Sequence, residues 1–382
     1  MLRLLPLYVV GFCGYTGFSL LFPVIPKYAD ALGASLSMVG LVVGTFSYAA
    51  ALTMIPFGML SDRVGRRTLL VVGLVIYTVA PLFYIVVSDP LQLILVRGIH
   101  GLASAAFIPA ANALVVDMSS PQRKGEALGW FTAATMLGFV FGPITGGFLL
   151  HSYGYNATFY ACSLTSLLAL VLILPWLGSM VGRPVQKGAS VSSWGWLWQW
   201  RAVGALLTPL FITFGSGTIV AFMPLYGEGI SITASQVGII ITAIYASSAL
   251  LRAPAGRLSD RIGREMVILF GFAISAAALL FFSFLTSFPS LIVAGVVFGF
   301  GMGLAMPAAF ALAADLAPLS ARGLAMGAAS SALQAGLAIG ATAMGGVAAV
   351  AGFGSMFGIC AAILAVGLIA VLLLIRPRSQ SN

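Results

Sequence analysis

Apolar windows about 20 residues long follow one another from Leu4 to Ile375, parted only by short polar or glycine-rich breaks. About 20 predominantly apolar residues, wound as a helix, cross a ~30 Å hydrocarbon core. Twelve such windows predict spans at 4–24, 37–58, 68–88, 91–114, 126–150, 154–178, 202–225, 234–256, 266–287, 289–312, 324–350 and 354–375. A closed barrel would alternate apolar and polar over ~10-residue segments, and runs such as Ala361 to Ile375 do not alternate. The first window, behind Arg3, has the outline of a secretory signal. It continues through Pro23 and Pro26 without a small-residue cleavage site and so reads as the first span.

Composition agrees: 60% of the residues are hydrophobic, 7% are charged, and the mean hydropathy is +1.09. Water-soluble cores and surfaces do not divide such a chain between them. The net charge of +9 is explained by position rather than by a polyanion partner. On one side of the predicted membrane fall Arg3, Arg63, Arg66, Arg67, Arg123, Lys124, Arg183, Lys187, Arg201, Arg257, Arg261, Arg264, Arg322, Arg376 and Arg378. Only Lys27 falls on the other, while Arg97 and Arg252 lie within spans. The positive-inside rule then places both termini in the cytoplasm, and no nucleic-acid partner is called for. Cys13, Cys162 and Cys360 sit far apart inside spans without metal-ligand spacing, and read as small buried hydrophobes. No metal or cofactor is expected.

The chain repeats itself at an offset of 198 residues. Pro26-Lys27-Tyr28 falls on Pro224-Leu225-Tyr226, and Gly58-Met59-Leu60-Ser61-Asp62-Arg63-Val64-Gly65-Arg66 falls on Gly256-Arg257-Leu258-Ser259-Asp260-Arg261-Ile262-Gly263-Arg264. Pro109 matches Pro307, and Asp117 matches Asp315. Each copy holds six spans, an even number, so both enter the membrane from the same side as parallel repeats. The predicted organisation is a six-helix bundle at 1–180, a cytoplasmic linker at 181–201 rich in tryptophan, and a second bundle at 202–382.

The loop Gly58 to Arg67 and its copy resemble the signature between the second and third spans of the major facilitator superfamily, and the resemblance extends over the whole chain. Glycines 58 and 65 permit close backbone approach and turning, and Asp62 is placed to cap a neighbouring helix N-terminus. Arg66 is placed to pair with Asp117. In the family such contacts latch the halves in the outward-facing state, a role the resemblance carries to Gly58, Asp62, Arg63, Gly65, Arg66 and Asp117, and to Gly256, Asp260, Arg261, Gly263, Arg264 and Asp315. The alternative is a plain positive-inside loop of solvated charges.

In the fourth span, Arg97-Gly98-Ile99-His100-Gly101 is similar to the family signature whose arginine is tied to proton movement. An arginine in hydrocarbon must face a cavity or an acceptor. Arg97 either serves such movement or bonds carbonyls or polar groups of the first span. His100 shares its helix face and is either the group that changes charge near neutral pH or a neutral packing residue. With Asp117 these are the expected proton-coupling residues.

In the fifth span Gly138, Gly142, Pro143, Gly146 and Gly147 resemble the family's antiporter motif, found in exporters. Glycines four apart make a close-packing face, and Pro143 removes a backbone bond so that the helix can bend. The bland alternative is packing without transport direction. The second half keeps Gly336 and Gly340 but has Ala341 in place of the proline. Phe22-Pro23-Val24-Ile25-Pro26 resembles a further element of the twelve-helix drug:proton antiporters.

Every Asp and Glu falls at a span end or in a loop, so a midplane carboxylate for cation selection is absent. Arg252, whose repeat mate is Met54, either binds an anionic group or snorkels to the cytoplasmic surface. Candidate substrate contacts are Tyr15, Tyr48, Asn112, Phe214, Tyr245, Arg252 and Gln334. The expectation is an all-α membrane protein with twelve transmembrane helices in two pseudo-symmetric six-helix bundles. It would be a monomer of a bacterial-type inner membrane, exporting amphipathic drugs or small metabolites against inward proton flow. Rivals are a sugar, metabolite or lipid exporter, an uncoupled facilitator, and a receptor or scaffold that moves nothing. No catalytic constellation lies in the spans and no phosphate-binding loop is present, so an enzyme or direct ATP drive is not expected.

Overall fold

In hydrocarbon a backbone amide has no water to bond, so each apolar window must satisfy its own hydrogen bonds as a helix. The computed structural model describes residues 4–120, 123–178, 195–196, 198–318 and 321–375, with the side chain of Asp62 outside that set. Most of the linker expected at 181–201 lies outside the described residues, as do Arg3, Arg183, Lys187, Arg376 and Arg378.

The helices are α1 (Leu5–Leu20), α2 (Ile25–Ala31), α3 (Leu36–Val64), α4 (Arg66–Phe83), α5 (Pro90–Met118), α6 (Lys124–Ile173), α7 (Trp200–Gly229), α8 (Ala234–Ile262), α9 (Arg264–Phe282), α10 (Phe288–Leu316) and α11 (Arg322–Ile375). Counting α1 with α2, ten of these described segments are long and apolar enough to cross a membrane. Two exceed one crossing: α6 has 50 residues and α11 has 54, and each breaks once. The breaks are at Gly154 and Gly352, with φ of 81° and 76°, a backbone that glycine adopts without a side-chain penalty.

The 198-residue offset reappears in the contacts. Ser35 caps α3 at the Met38 amide and Thr233 caps α8 at the Gln236 amide. Tyr28 Oη donates to the Val87 carbonyl at 3.2 Å, and Tyr226 Oη to Leu285 at 2.6 Å. A β-carbon on Gly73 would press on Phe107 and Ala103, and one on Gly271 on Ala305 and Gly301. Gly101 abuts the Phe46 carbonyl as Gly299 abuts that of Ile244. Every one of these pairs of positions differs by 198. Large apolar side chains such as Leu95, Val293, Val350 and Leu373 stay exposed, a surface suited to lipid rather than water.

Helix alternation puts the 64–66, 118–124, 262–264 and 316–322 connections at one end, here called the basic end for its arginines and lysines. The connections at 31–36, 83–90, 229–234 and 282–288 lie at the far end.

Candidate functional site

The halves of the sequence meet along two seams, both toward the far end. In one, α6 packs on α8: a β-carbon on Gly147 would overlap the Ala234 carbonyl, and one on Gly238 the Pro143 carbonyl. Thr242 Oγ1 donates to the Val140 carbonyl at 2.8 Å and Ser235 Oγ to that of Gly147 at 3.4 Å. In the other, α3 packs on α11: Gly40 abuts Ala341, Gly44 abuts Ala338 and Thr342, and Gly345 abuts Leu36. The seams are the same contact seen twice, since 40, 143 and 147 become 238, 341 and 345 at the offset. Lys27 Nζ also reaches Glu228 across the halves at 3.1 Å, beside an open depression of about 450 Å³ lined from both halves by His151, Tyr155, Ser231 and Thr233.

The fifth-span motif divides its residues between two faces of α6. Gly138, Gly142 and Gly146, one turn apart, lie against α1 at Phe12, Thr16, Ser19 and Leu20, and Ser19 Oγ donates to the Gly138 carbonyl at 3.0 Å. Pro143 and Gly147 instead face α8 across the seam. The second half packs α11 on α7 in the same way, Gly336 on Leu210 and Gly340 on Phe214.

Below the seams lies an aromatic layer drawn from both halves. Phe139 stacks on Tyr245 with centroids 5.0 Å apart, Phe22 lies 5.8 Å from Tyr245, and Tyr15 lies 5.0 Å from Phe139. Tyr245 Oη and Ser216 Oγ are 3.3 Å apart. Arg252, half-buried, follows Tyr245 by seven residues, about 10 Å along α8 toward the basic end, and its charge reaches both Tyr15 and Tyr245. Of the predicted substrate contacts, Tyr15, Tyr245 and Arg252 thus come together. Phe214 is packed in the core, where its backbone supports Gly340. Gln334 is buried without a hydrogen bond to a described residue, and Tyr48 and Asn112 are partly buried.

Arg97 and His100 do share a face, and Phe46 of α3 lies against both. The Arg97 guanidinium stands 4.8 Å over the Phe46 ring, and the His100 ring meets it edge-on at 5.5 Å. Arg97 Nε and Nη2 donate to the Val42 and Val43 carbonyls at 3.3 and 3.2 Å. The acceptors therefore belong to the second span rather than to the first, the span named in the structural alternative, because α3 runs alongside α5 while α1 packs on α6. Arg97 also borders a cavity of about 30 Å³ between the halves, with Ser47, Phe22 and Val220, space for little more than a water. His100 is fully buried. Its Nδ1 lies 2.9 Å from Tyr84 Oη, and its Nε2 has no partner.

At the basic end the charges pair within each half. Arg66 pairs with Asp117, and Arg264 with Asp260 at 2.6 Å and Asp315 at 3.3 Å; Arg201 pairs with Glu265. The Arg66–Asp117 pair is the one expected from the sequence, and its repeat mate joins Arg264 to Asp315. Gly65 and Gly263 turn the chain with φ of 103° and 94°, and Gly65 caps α4 without a side-chain bond. The close approach expected at Gly58, and at its mate Gly256, does not occur: a β-carbon at either would meet nothing within 4 Å. The same holds for Gly125, Gly129, Gly323 and Gly327, whereas the described glycine contacts between the halves lie toward the far end. Arg63 and Arg261 are exposed. Asp62's side chain lies outside the described residues.

Sequence reasoning missed Phe22, Phe139 and Ser216 around Tyr245, Tyr84 beside His100, and the Lys27–Glu228 bridge. Only the repeat held a signal for some of them: Arg97, His100 and Tyr84 correspond to Gly295, Phe298 and Phe282. The second copy keeps the packing and drops the polar groups.

A family model described as Major Facilitator Superfamily matches residues 7–230 and again 205–382. An uncharacterized MFS-type transporter of Methanocaldococcus jannaschii is 30% identical over 357 residues, 92% of either chain. The multidrug resistance protein MdtG of Enterobacter lignolyticus is 28% identical over 287 residues, 71% of this chain and 68% of that one. Among solved structures, a bacterial homologue of the human lysosomal transporter Spinster, in an inward-facing and occupied conformation, superposes with a TM-score of 0.82 at 14% identity, over 97% of this chain and 96% of that one.

Proposed function

The chain belongs to the major facilitator superfamily of membrane transporters, and from that membership we propose that it is a proton-coupled exporter of small amphipathic molecules working by alternating access. Twelve crossings, obtained by dividing α6 at Gly154 and α11 at Gly352, form two six-helix bundles at 1–180 and 202–382. The linker at 181–201 joins them on the cytoplasmic side, where both termini lie, in the inner membrane. One chain encloses one path and works as a monomer.

The observation that carries this reading is the one-ended interface. The glycine contacts between the halves, at Gly40, Gly44, Gly147, Gly238 and Gly345, all lie toward the far end, and a β-carbon on Gly58 or Gly256 at the basic end would touch nothing. Packed interfaces have discrete arrangements rather than a continuum, so closing Gly58 and Gly256 onto the opposite half would require the seams to part. In this reading the basic end is cytoplasmic, the present state opens inward, and the latch role of Arg66, Asp117, Arg264 and Asp315 belongs to the other state. Substrate sits beneath the Tyr15, Phe139 and Tyr245 layer. Arg97, His100 and Asp117 respond to protons and bias the two states, as differential binding requires. The multidrug relative supports the choice of cargo, and the α6 motif supports the direction.

Proteoliposomes with an interior pH dye test it: amphipathic solutes should trigger proton movement that Arg97→Ala or His100→Ala abolishes. The second reading is an uncoupled facilitator, favoured by the distance of every carboxylate from His100 in sequence and by its aromatic surroundings. Solute flux without protons would establish that alternative.

A further inference from the structure

The two arginines inside spans are answered differently by the protein. Arg97 has two carbonyls and an aromatic face. Arg252 makes no hydrogen bond or ion pair with a described residue, and its Nε is shut from solvent without a partner. A charge held in a low-dielectric site without a counter-charge is costly, and a fold under no further demand would not keep it. The repeat shows that packing makes no such demand, since Met54 fills the corresponding place in the first half. Tyr245 and Tyr15 likewise stand where the other copy has Ser47 and Thr213.

What surrounds Arg252 is a set of donors and ring faces. Tyr245 precedes Arg252 by seven residues on α8, and Tyr15 of α1 packs on Phe139, which stacks on Tyr245, so rings from both halves stand on the Tyr245 side of Arg252. Tyr15 Oη carries no hydrogen bond to a described residue and is not sealed from solvent. Tyr245 Oη has only Ser216. Over them lie the rings of Phe139 and Phe22. The connections at the basic end, toward which α8 runs from Tyr245 to Arg252, carry Arg63, Arg67, Arg257 and Arg261, and their field concentrates anions.

We propose that Arg252, Tyr15 and Tyr245 form a binding site for an amphipathic organic anion, a carboxylate, phosphonate or sulfonate on an aromatic body. This rests on the exporter reading and names its cargo. The planar guanidinium takes two oxygens of the anion in parallel hydrogen bonds, the Tyr15 hydroxyl donates to the same group, and the Phe139 and Tyr245 rings hold the apolar body. The roughly 10 Å between Tyr245 and Arg252 along α8 suits a body of one or two fused rings.

The test uses full-length protein in zwitterionic nanodiscs and three probes that share one ring system: naphthoate, naphthylmethanol and naphthylmethylammonium. Calorimetry should find naphthoate bound at least about tenfold more tightly than the ammonium probe, near 1.4 kcal/mol. Arg252→Gln should erase that preference while leaving naphthylmethanol binding intact, which shows that the variant is folded. Arg252→Lys should keep part of it, and Tyr15→Phe should weaken naphthoate severalfold. Adding anionic phospholipid to the discs identifies the source of the anion: competition with naphthoate points to a lipid headgroup, and its absence to a soluble solute. Equal binding of the charged probes, or naphthoate binding untouched by Arg252→Gln, overturns the proposal. Counterflow of the same probes separates this from the exporter reading. Anion preference without flux leaves the site and removes the exporter; flux of the ammonium probe without anion preference does the reverse.

Discussion

Phe139 of α6 and Tyr245 of α8 lie face to face across the boundary between the sequence halves, their rings 5.0 Å apart and 21° from parallel. They lie one residue below the Thr242–Val140 contact of the α6–α8 seam on the α6 side. Aromatic pairs of this kind contribute about 0.5–1.5 kcal/mol beyond the area they bury, enough to bias two states that differ by a few kcal/mol. Phe139→Ala should therefore shift the protein toward far-end opening. In a chain freed of its native cysteines, a cysteine at Thr242 should react with maleimide severalfold faster in that background. An unchanged rate would remove the pair from the seal.

The seams predict a contrast between glycines. Gly147→Ala and Gly40→Ala put a methyl into a carbonyl of the opposite half. Each should lower the thermal stability of the closed form and slow transport, although the chain still inserts. Gly58→Ala and Gly256→Ala meet open space here, so stability should hold. Any slowing of transport they cause would mark close packing of the basic end in the other state.

The Tyr84–His100 pair can be replaced by its own repeat. The second copy has Phe282 and Phe298 in those places, both fully buried. His100→Phe alone takes from the buried Tyr84 hydroxyl its imidazole partner, leaving Arg97 beside it, and should cost about 1 kcal/mol. Adding Tyr84→Phe should recover part of that loss, because the hydroxyl and imidazole are then both gone while Arg97 keeps the Val42 and Val43 carbonyls. The double variant should be stable yet lack substrate-driven proton movement. Retained proton movement would return His100 to the role of a packing residue.

Lys27 and Glu228 form the ion pair that bridges the halves at the far end, with side chains 20% and 61% exposed. At that exposure the pair contributes about 0.2–1 kcal/mol and weakens in salt. Lys27→Gln should barely change unfolding but shift the opening equilibrium modestly, and the charge swap Lys27→Glu with Glu228→Lys should restore it. A melting-temperature loss of many degrees would show a larger structural role.

Much of the architecture was legible because packing itself repeats: an offset read from Gly58, Asp117 and Pro109 also relates Gly40 to Gly238 and Gly154 to Gly352. Arg66 and Asp117 could be paired from sequence, since both sit at helix ends that alternation brings to one side. The seams could not be read, because Gly40 and Gly44 look like any small residues in a span until a facing helix is known. The acceptors of Arg97 escaped for the same reason, carbonyls carrying no sequence signal. Nor does local pattern reveal which end is closed: that choice lies between two packings of one chain, and the open surroundings of Gly58 belong to only one of them.

The most direct test is a pair of spin-label distances in one cysteine-free background. One pair, Gly58→Cys with Gly256→Cys, spans the basic end; the other, His151→Cys with Gly229→Cys, spans the far end. Both would be followed in nanodiscs across a pH series and with each solute found to move protons. Alternating access predicts that the basic-end distance shortens as the far-end distance lengthens. Distances that stay fixed, or that change in the same sense, would contradict it.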